Sequence, residues 1–341
     1  MSRLFIAVLL LIGLLDLASK SIVRNVEKDN SIHVPRSVLP SNAAVGSLTR
    51  ICPSERAYIH FVTRNRHLKP YQRCALVSAS RMNQQNSCVF LWRTRYFQTE
   101  FLLNLSLGKY FYSPVYNLRS LFVSTPFERW HAQRRHRRPP IFDHKSLSDA
   151  LRLAILFHYG GIYLDLNMIS LRSLSPIAAS FNISYRNSAT KMLHGGYLSF
   201  PQPQSPFIWL AMDLFVQGYR GYELIRQAVE TYVNTRNLLT KVEDPDYLKR
   251  YPQYNALASA LNRSIENMPT LTELRISHES YFYPISLKNA WNTITENKTI
   301  RLMPFVRHAI AFYVWDSVIE NSTPENGSLI SVVTNMQCSH N

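Results

Sequence analysis

Short, wholly apolar runs alternate along the chain with longer stretches whose apolar residues recur at helical spacing. "YIHFV" (Tyr58 to Val62) and "CVFLW" (Cys88 to Trp92) are rich in β-branched and aromatic residues and are bounded by polar segments, the pattern of buried parallel strands. Tyr71 to Met82, between them, has helical spacing, and strand, helix, strand in that order opens an α/β domain with a parallel sheet. "SLSDALRLAILFHYGG" predicts a helix capped by Ser146 or Ser148, with Asp149 in its first turn and Gly160 just past its end. "IYLD" follows as a strand with Asp165 at its C-terminal end, which is where open α/β sheets bind ligands. Amphipathic helices are predicted over Phe207 to Phe215 and Leu224 to Val233, and a late strand over Ala309 to Trp315. No internal repeat interrupts this order.

One apolar run stands apart. Leu4 to Leu15 follows Arg3 and carries no charge, yet it is shorter than the roughly 20 residues that cross a bilayer. It suits a cleaved signal peptide or a short signal-anchor, and either sends the chain into the secretory pathway. The expected organisation is therefore 1–20 signal or anchor, 21–56 a flexible stem rich in Ser, Asn and charges, and 57–341 the folded domain. N-x-S/T acceptors at Asn104, Asn182, Asn262, Asn297, Asn321 and Asn326 agree with a lumenal destination. So do four cysteines, Cys52, Cys74, Cys88 and Cys338, which suffice for one or two disulfides and lack the paired short spacing of a zinc site.

Charge narrows the partners. With 38 basic and 22 acidic residues the chain carries +16, which favours phosphates, sulfated glycans, anionic lipid surfaces or nucleic acid. The run "RRHRRPP" (Arg134 to Pro140) is the nucleic-acid-like element, but behind a secretory signal it reads as a solvated loop or a contact for acidic glycans and headgroups, so nucleic acid is not an expected partner. Tyr281, Phe282, Tyr283, Trp291 and Trp315 are candidates either for stacking on a sugar or for the core. Hydrolase elbows, zinc-protease helices and Walker loops are absent from the sequence.

The remaining chemistry centres on "HYGGIYLDLNMISL" (His158 to Leu171). Two oxygen-bearing side chains separated by one residue after an apolar strand can hold a hard divalent cation, which in turn bridges phosphates. Here the pair is Asp165 and Asn167. The stretch from Leu147 to Leu171 resembles the "LSDxxRxxxLxxxGGIYLDxDxxxL" signature of the α-1,4-galactosyltransferases, through Leu147, Ser148, Asp149, Ala150, Arg152, Gly160, Gly161, Ile162, Tyr163, Leu164 and Asp165. "YNLRSLFVSTPFERWH", "LHGGYLSF" and "YFYPIS" extend the likeness over roughly residues 58–338. The resemblance implies a GT-A type nucleotide-sugar transferase fold, a single mixed, mostly parallel sheet flanked by helices. It also implies a Golgi type II membrane protein, held by its N-terminal segment, that transfers galactose or N-acetylgalactosamine from a UDP-sugar onto a glycolipid in α-1,4 linkage with retention. Secretion after signal cleavage is the alternative location.

On this resemblance Asp165, Asp149 and Arg152 are the catalytic candidates. Asp149, Arg152, Tyr163, Asp165, Asn167, His194 and Gly195 would bind the UDP-sugar, and Asp165 with Asn167 would hold Mn²⁺. Asp149 and Arg152 are also an ordinary i, i+3 ion pair, and the glycines an ordinary helix stop. Four departures fall on donor or metal positions. Asn167 stands for an Asp, Tyr313 for a His, His194 for an Asn, and "GYRGYELIRQAVETY" replaces a His-Gln-Gly-Pro segment. A neutral amide is a weaker ligand for a hard cation than a carboxylate. Mn²⁺ is therefore expected to bind weakly, or to be replaced by Arg152, Arg172 or Lys191 at the departing UDP, or the chain has become a glycan- or partner-binding protein without transferase activity.

Overall fold

Strand β1 (Ala57–Val62) sits in the middle of the parallel half of a seven-stranded sheet because both its faces are apolar: Ile59 and Phe61 pack to one side and His60, also fully buried, to the other. The computed structural model describes residues 51–341 except 54, 100, 101, 103, 104, 106, 136–143, 242–271, 320, 321 and 339–341. The expected signal and most of the stem, the end of the basic run, and the acceptors Asn104, Asn262 and Asn321 lie outside the described residues. Helix α1 (Pro70–Asn83), begun by a proline whose missing N–H costs nothing in a first turn, returns the chain to β2 (Ser87–Trp92), parallel to β1 from Ala57↔Ser87 to Val62↔Trp92.

Strand β3 (Phe111–Tyr112) extends the parallel edge. Helix α2 (His144–Tyr159) then crosses to β4 (Gly161–Leu164), parallel to β1. After a short ribbon strand β5 (Met168–Ser170) the chain re-enters the sheet as β6 (Asn182–Asn187) and β7 (Met192–Phe200). Helices α3 (Pro206–Gln217) and α4 (Gly221–Lys241) pack on it, and β8 (Arg275–Ser277) closes the far edge. The order β3-β2-β1-β4-β7-β6-β8 has four parallel pairings; β4–β7 and β6–β7 are antiparallel. The expected mixed, mostly parallel sheet flanked by helices is thus present. β9 (Ala311–Tyr313) adds a separate antiparallel ribbon with β5, in which Tyr313 lies opposite Met168.

Several local expectations need revision. Helix α2 starts at His144, so Ser146 and Ser148 are interior residues and Asp149 belongs to the second turn. Ser146 and Leu147 are buried, and packing of that face rather than the cap residues sets where the helix begins. The packed body reaches back to Ile51 rather than to Ala57, because Cys52 is buried and disulfide-bonded to Cys88 in β2 and the Tyr112 hydroxyl donates to the Ile51 carbonyl at 2.6 Å. Only Ala311–Tyr313 of the late apolar run pairs as a strand. Asn182 is no surface acceptor: it is 5% exposed, in β6, and its side chain takes a hydrogen bond from Ser277 Oγ at 2.8 Å.

Both disulfides form. Cys74–Cys338 ties α1 to the last helix, α5 (Leu329–Cys338), across 264 residues of sequence. Gly160 and Gly161, at φ +66° and +93°, make the turn from α2 into β4. A Cβ on Gly161 would sit 2.5 Å from the Tyr58 carbonyl oxygen, so the close approach of β4 to β1 depends on that residue.

Candidate functional site

The C-terminal ends of β1, β2 and β4 point to one edge of the sheet, and Asp165 is the first residue past β4 there. Its backbone N–H donates to the Gly196 carbonyl at 2.8 Å, which carries the β4–β7 pairing one step beyond the strand. Its carboxylate accepts the Asn167 backbone N–H at 3.3 Å, so the D-x-N segment is a turn closed by its own first side chain. Burial pushes the Asp165 carboxyl above the usual carboxylate range, against the opposing pull of Arg152 and the Asn167 amide.

Arg152 projects from α2 toward the same edge. Its Nη2 lies 3.1 Å from Asp149 Oδ1, its Nη1 donates to the Gly195 carbonyl, and its guanidinium carbon stands 4.9 Å from the centre of the Tyr163 ring. Burial opposes the charge, but the oxygens of Tyr163, Asp149, Asp165 and Tyr283 outweigh it, so Arg152 is held firmly as a cation. Asp149 is shared: its other oxygen accepts the Gly221 backbone N–H at 3.2 Å, at the start of α4. Tyr163 is buried at 3% exposure beneath Arg152, with its hydroxyl pKa raised by burial. Gly195 is close-packed, since a Cβ there would stand 2.9 Å from Arg152 Nη1.

The other wall comes from β7, β9 and the segment around Tyr283. His194 Nδ1 is 2.7 Å from the Tyr283 hydroxyl and accepts the Gly196 N–H at 3.1 Å, which places the ring proton on Nε2. Burial, with Arg152 and Arg186 nearby, holds its pKa down to about 3, so the imidazole is neutral. Its ring contacts Tyr283 and Tyr313, at centroid distances of 5.4 and 5.7 Å, and Tyr313 in turn meets Trp315 at 4.9 Å. Asn167, 5% exposed, donates from Nδ2 to Asp316 Oδ2 at 2.9 Å and hydrogen-bonds the Tyr313 hydroxyl. Asp316 also takes the Tyr71 hydroxyl and lies 3.7 Å from Lys69 Nζ.

All seven sequence-derived site residues therefore gather at one edge. Arg172 and Lys191 do not join them: Arg172 donates to the Arg307 carbonyl at 2.6 Å, and Lys191 is exposed in the β6–β7 turn at φ +53°. Sequence reasoning missed Asp316, which anchors Asn167, and Arg186, whose guanidinium carbon lies 4.5 Å over the Trp315 ring. Arg186 sits in a strand of mixed polarity with no motif around it, so only tertiary placement identifies it.

A manganese ion does not suit this donor set. A hard divalent cation needs several convergent oxygens. Asp165 is one. The Asn167 nitrogen faces the Asp316 carboxylate, and its amide is also engaged by Tyr313; Asp316 is occupied by Asn167, Tyr71 and Lys69. His194 Nδ1 is already an acceptor, and among the described residues no three His, Cys, Asp or Glu side chains are grouped for a metal.

The mixed, mostly parallel sheet with Asp165 at its strand edge has the GT-A type architecture expected from the sequence. Residues 69–183 match the family of glycosyltransferases described as a "sugar-binding region containing DXD motif". Mouse lactosylceramide 4-alpha-galactosyltransferase is 28% identical over 201 residues, 59% of this chain and 48% of that protein. Human alpha-1,4-N-acetylglucosaminyltransferase is 26% identical over 261 residues, 73% of this chain and 69% of that protein. Among solved structures, the galactosyltransferase LgtC bound to donor and acceptor sugar analogues aligns with 74% of this chain and 94% of its own, at 13% identity and a TM-score of 0.35. Over residues 69–183 the chain is similar to the glycosyltransferase family carrying this sugar-binding region, in keeping with its likeness to the α-1,4-galactosyltransferases. Its alignment spans about half the length of the mouse and human lactosylceramide galactosyltransferases.

Proposed function

We propose that this protein transfers a hexose from a UDP-sugar onto a glycolipid, in α-1,4 linkage and with retention, as a lumenal Golgi enzyme held by its N-terminal segment. The observation that carries the reading is Arg152, a buried cation fixed by Asp149, Gly195 and Tyr163 beside the Asp165 carboxylate at the strand edge. A buried guanidinium with a preset direction stabilises a diphosphate leaving group without reorganising during reaction. Asp165 faces the donor, and the buried rings of Tyr283 and Trp315, with Tyr313 between them, brace that wall of the site.

In the reaction the acceptor hydroxyl oxygen forms the new bond to the anomeric carbon on the face that UDP leaves. The carbon–oxygen bond to UDP breaks with its electron pair, and the hydroxyl proton passes to the departing phosphate oxygen. Positioning and charge stabilisation supply most of the acceleration, and no enzymic nucleophile is assigned. The relatives' names divide between galactose and N-acetylglucosamine as the transferred sugar, so the donor is drawn from UDP-galactose, UDP-N-acetylgalactosamine and UDP-N-acetylglucosamine. A second reading, a binding protein without turnover, is favoured by the engagement of Asn167 with Asp316 and Tyr313.

The test is incubation of the full chain with each donor and lactosylceramide, with product identified by mass and the new linkage by nuclear magnetic resonance. An α-linked product from one donor supports the transferase reading. UDP binding without product from any of the three supports the second reading.

A further inference from the structure

Strand β6 contains a bulge at Arg186. Tyr185 is opposite Leu193 and Asn187 opposite Met192, so Arg186 is the extra residue with no partner on β7. Bulges re-aim side chains, and this one lays the guanidinium on the Trp315 ring, beside His194, Tyr283 and Tyr313. Arg186 is half-buried, and among the described residues no carboxylate or carbonyl is paired with it. A guanidinium stacked on one face keeps its in-plane N–H donors for a bidentate anion. Arg152 has the opposite character, its donors already committed to Asp149, Ser148 and Gly195.

Charge balance connects Arg186 to the altered motif. Two carboxylates and a divalent cation sum to zero before the donor arrives. Asp165, the neutral Asn167 and Arg186 also sum to zero, without a metal. Loss of one carboxylate at position 167 reduces the positive charge the site requires from two to one, which a single arginine provides.

We propose that Arg186 is a phosphate-binding residue of the donor site, taking the diphosphate of UDP through its free guanidinium edge, and that donor binding is consequently independent of divalent metal. This rests on the donor-site reading above and adds the residue and the charge mechanism to it.

Calorimetric titration of the full chain with UDP tests it, in EDTA and then in Mn²⁺, for wild type, Arg186→Ala, Arg186→Lys and Asn167→Asp. Melting curves verify that each variant is folded. Wild-type affinity is expected to agree within about twofold in the two buffers. Arg186→Ala should weaken binding by about tenfold or more, and Arg186→Lys by less, because the charge remains while the planar fork is lost. Asn167→Asp should bind more weakly than wild type in EDTA and recover in Mn²⁺. Wild-type binding that vanishes in EDTA and returns with Mn²⁺ would overturn the inference, as would unchanged affinity in a folded Arg186→Ala. Absence of UDP binding by wild type in both buffers would overturn the donor-site reading itself and this inference with it.

Discussion

The two walls of the site are built differently. The wall from α2 and β4 carries Asp149, Arg152, Tyr163 and Asp165, and its polar groups are committed to one another: Arg152 to Asp149 and Gly195, Asp149 to Gly221, Asp165 to the Asn167 backbone. The wall from β6, β7 and β9 carries Arg186, His194, Tyr313 and Asn167, where three departures from the family pattern meet around one arginine whose donors are uncommitted among the described residues. The first wall is a mutually paired charge frame carried by the residues that match the signature. In the second, the positions that depart from the signature hold a neutral amide and a neutral phenol beside a bulge-mounted cation. The residues that depart from the signature touch one another, Asn167 and His194 both through Tyr313.

Substitutions that separate the walls should rank accordingly. Asp165→Asn should lower transfer by about 10²- to 10³-fold while leaving stability unchanged or raised, because burial disfavours the carboxylate it removes; initial rates together with a melting curve check both halves. Arg152→Ala should cost about 3–5 kcal/mol in urea unfolding by stranding Asp149 and Asp165 without their cation, whereas Tyr313→Phe on the other wall should cost about 1 kcal/mol.

Acid acts on two buried histidines, one in β1 and one on the second wall. His60 is fully buried, takes the Trp92 indole N–H on Nδ1 at 3.2 Å, lies 2.9 Å from the Gly160 carbonyl through Nε2, and is held down by burial to about 4. His194 is held down to about 3. Both depressed pKa values favour the neutral ring in the fold. Their stabilisation is therefore complete above the unfolded value near 6.5 and is lost as pH falls toward 4 and below, by about 3 kcal/mol for His60. Chemical denaturation at pH 7, 5.5 and 4.5 should show the fall, and His194→Asn should make it shallower. The smallest effect concerns glycans. Asn297 and Asn326 are exposed acceptors and Asn182 is not, so peptide mapping should find sugar on the first two alone of these three, and Asn326→Gln should shift the melting point by less than about 2 °C.

Much of this was legible in the sequence because the informative elements are apolar on both faces or punctuated by glycine. β1, β2 and β4 stand where their apolar runs predict, and Gly160 with Gly161 marks the turn that delivers Asp165 to the edge. The helix start was not legible: Ser146 and Ser148 look like caps, but burial of Leu147 extends α2 past them. Nor was the second wall. Arg186 is placed by a register shift between β6 and β7, and Asp316 by the meeting of β9 with the D-x-N turn, both long-range pairings that leave no local pattern. Arg172 and Lys191 carry the positive charge a departing phosphate needs, but the β-topology directs both elsewhere.

On this reading a transferase site balances its charge with arginine in place of a metal. The most direct test is the rate of hexose transfer to lactosylceramide by the full chain, measured with its preferred UDP-sugar in EDTA and in Mn²⁺, beside Asn167→Asp. Wild-type turnover is expected to persist in EDTA, and the Asn167→Asp rate to fall in EDTA and rise with Mn²⁺. Wild-type turnover abolished by EDTA and restored by Mn²⁺ would contradict it.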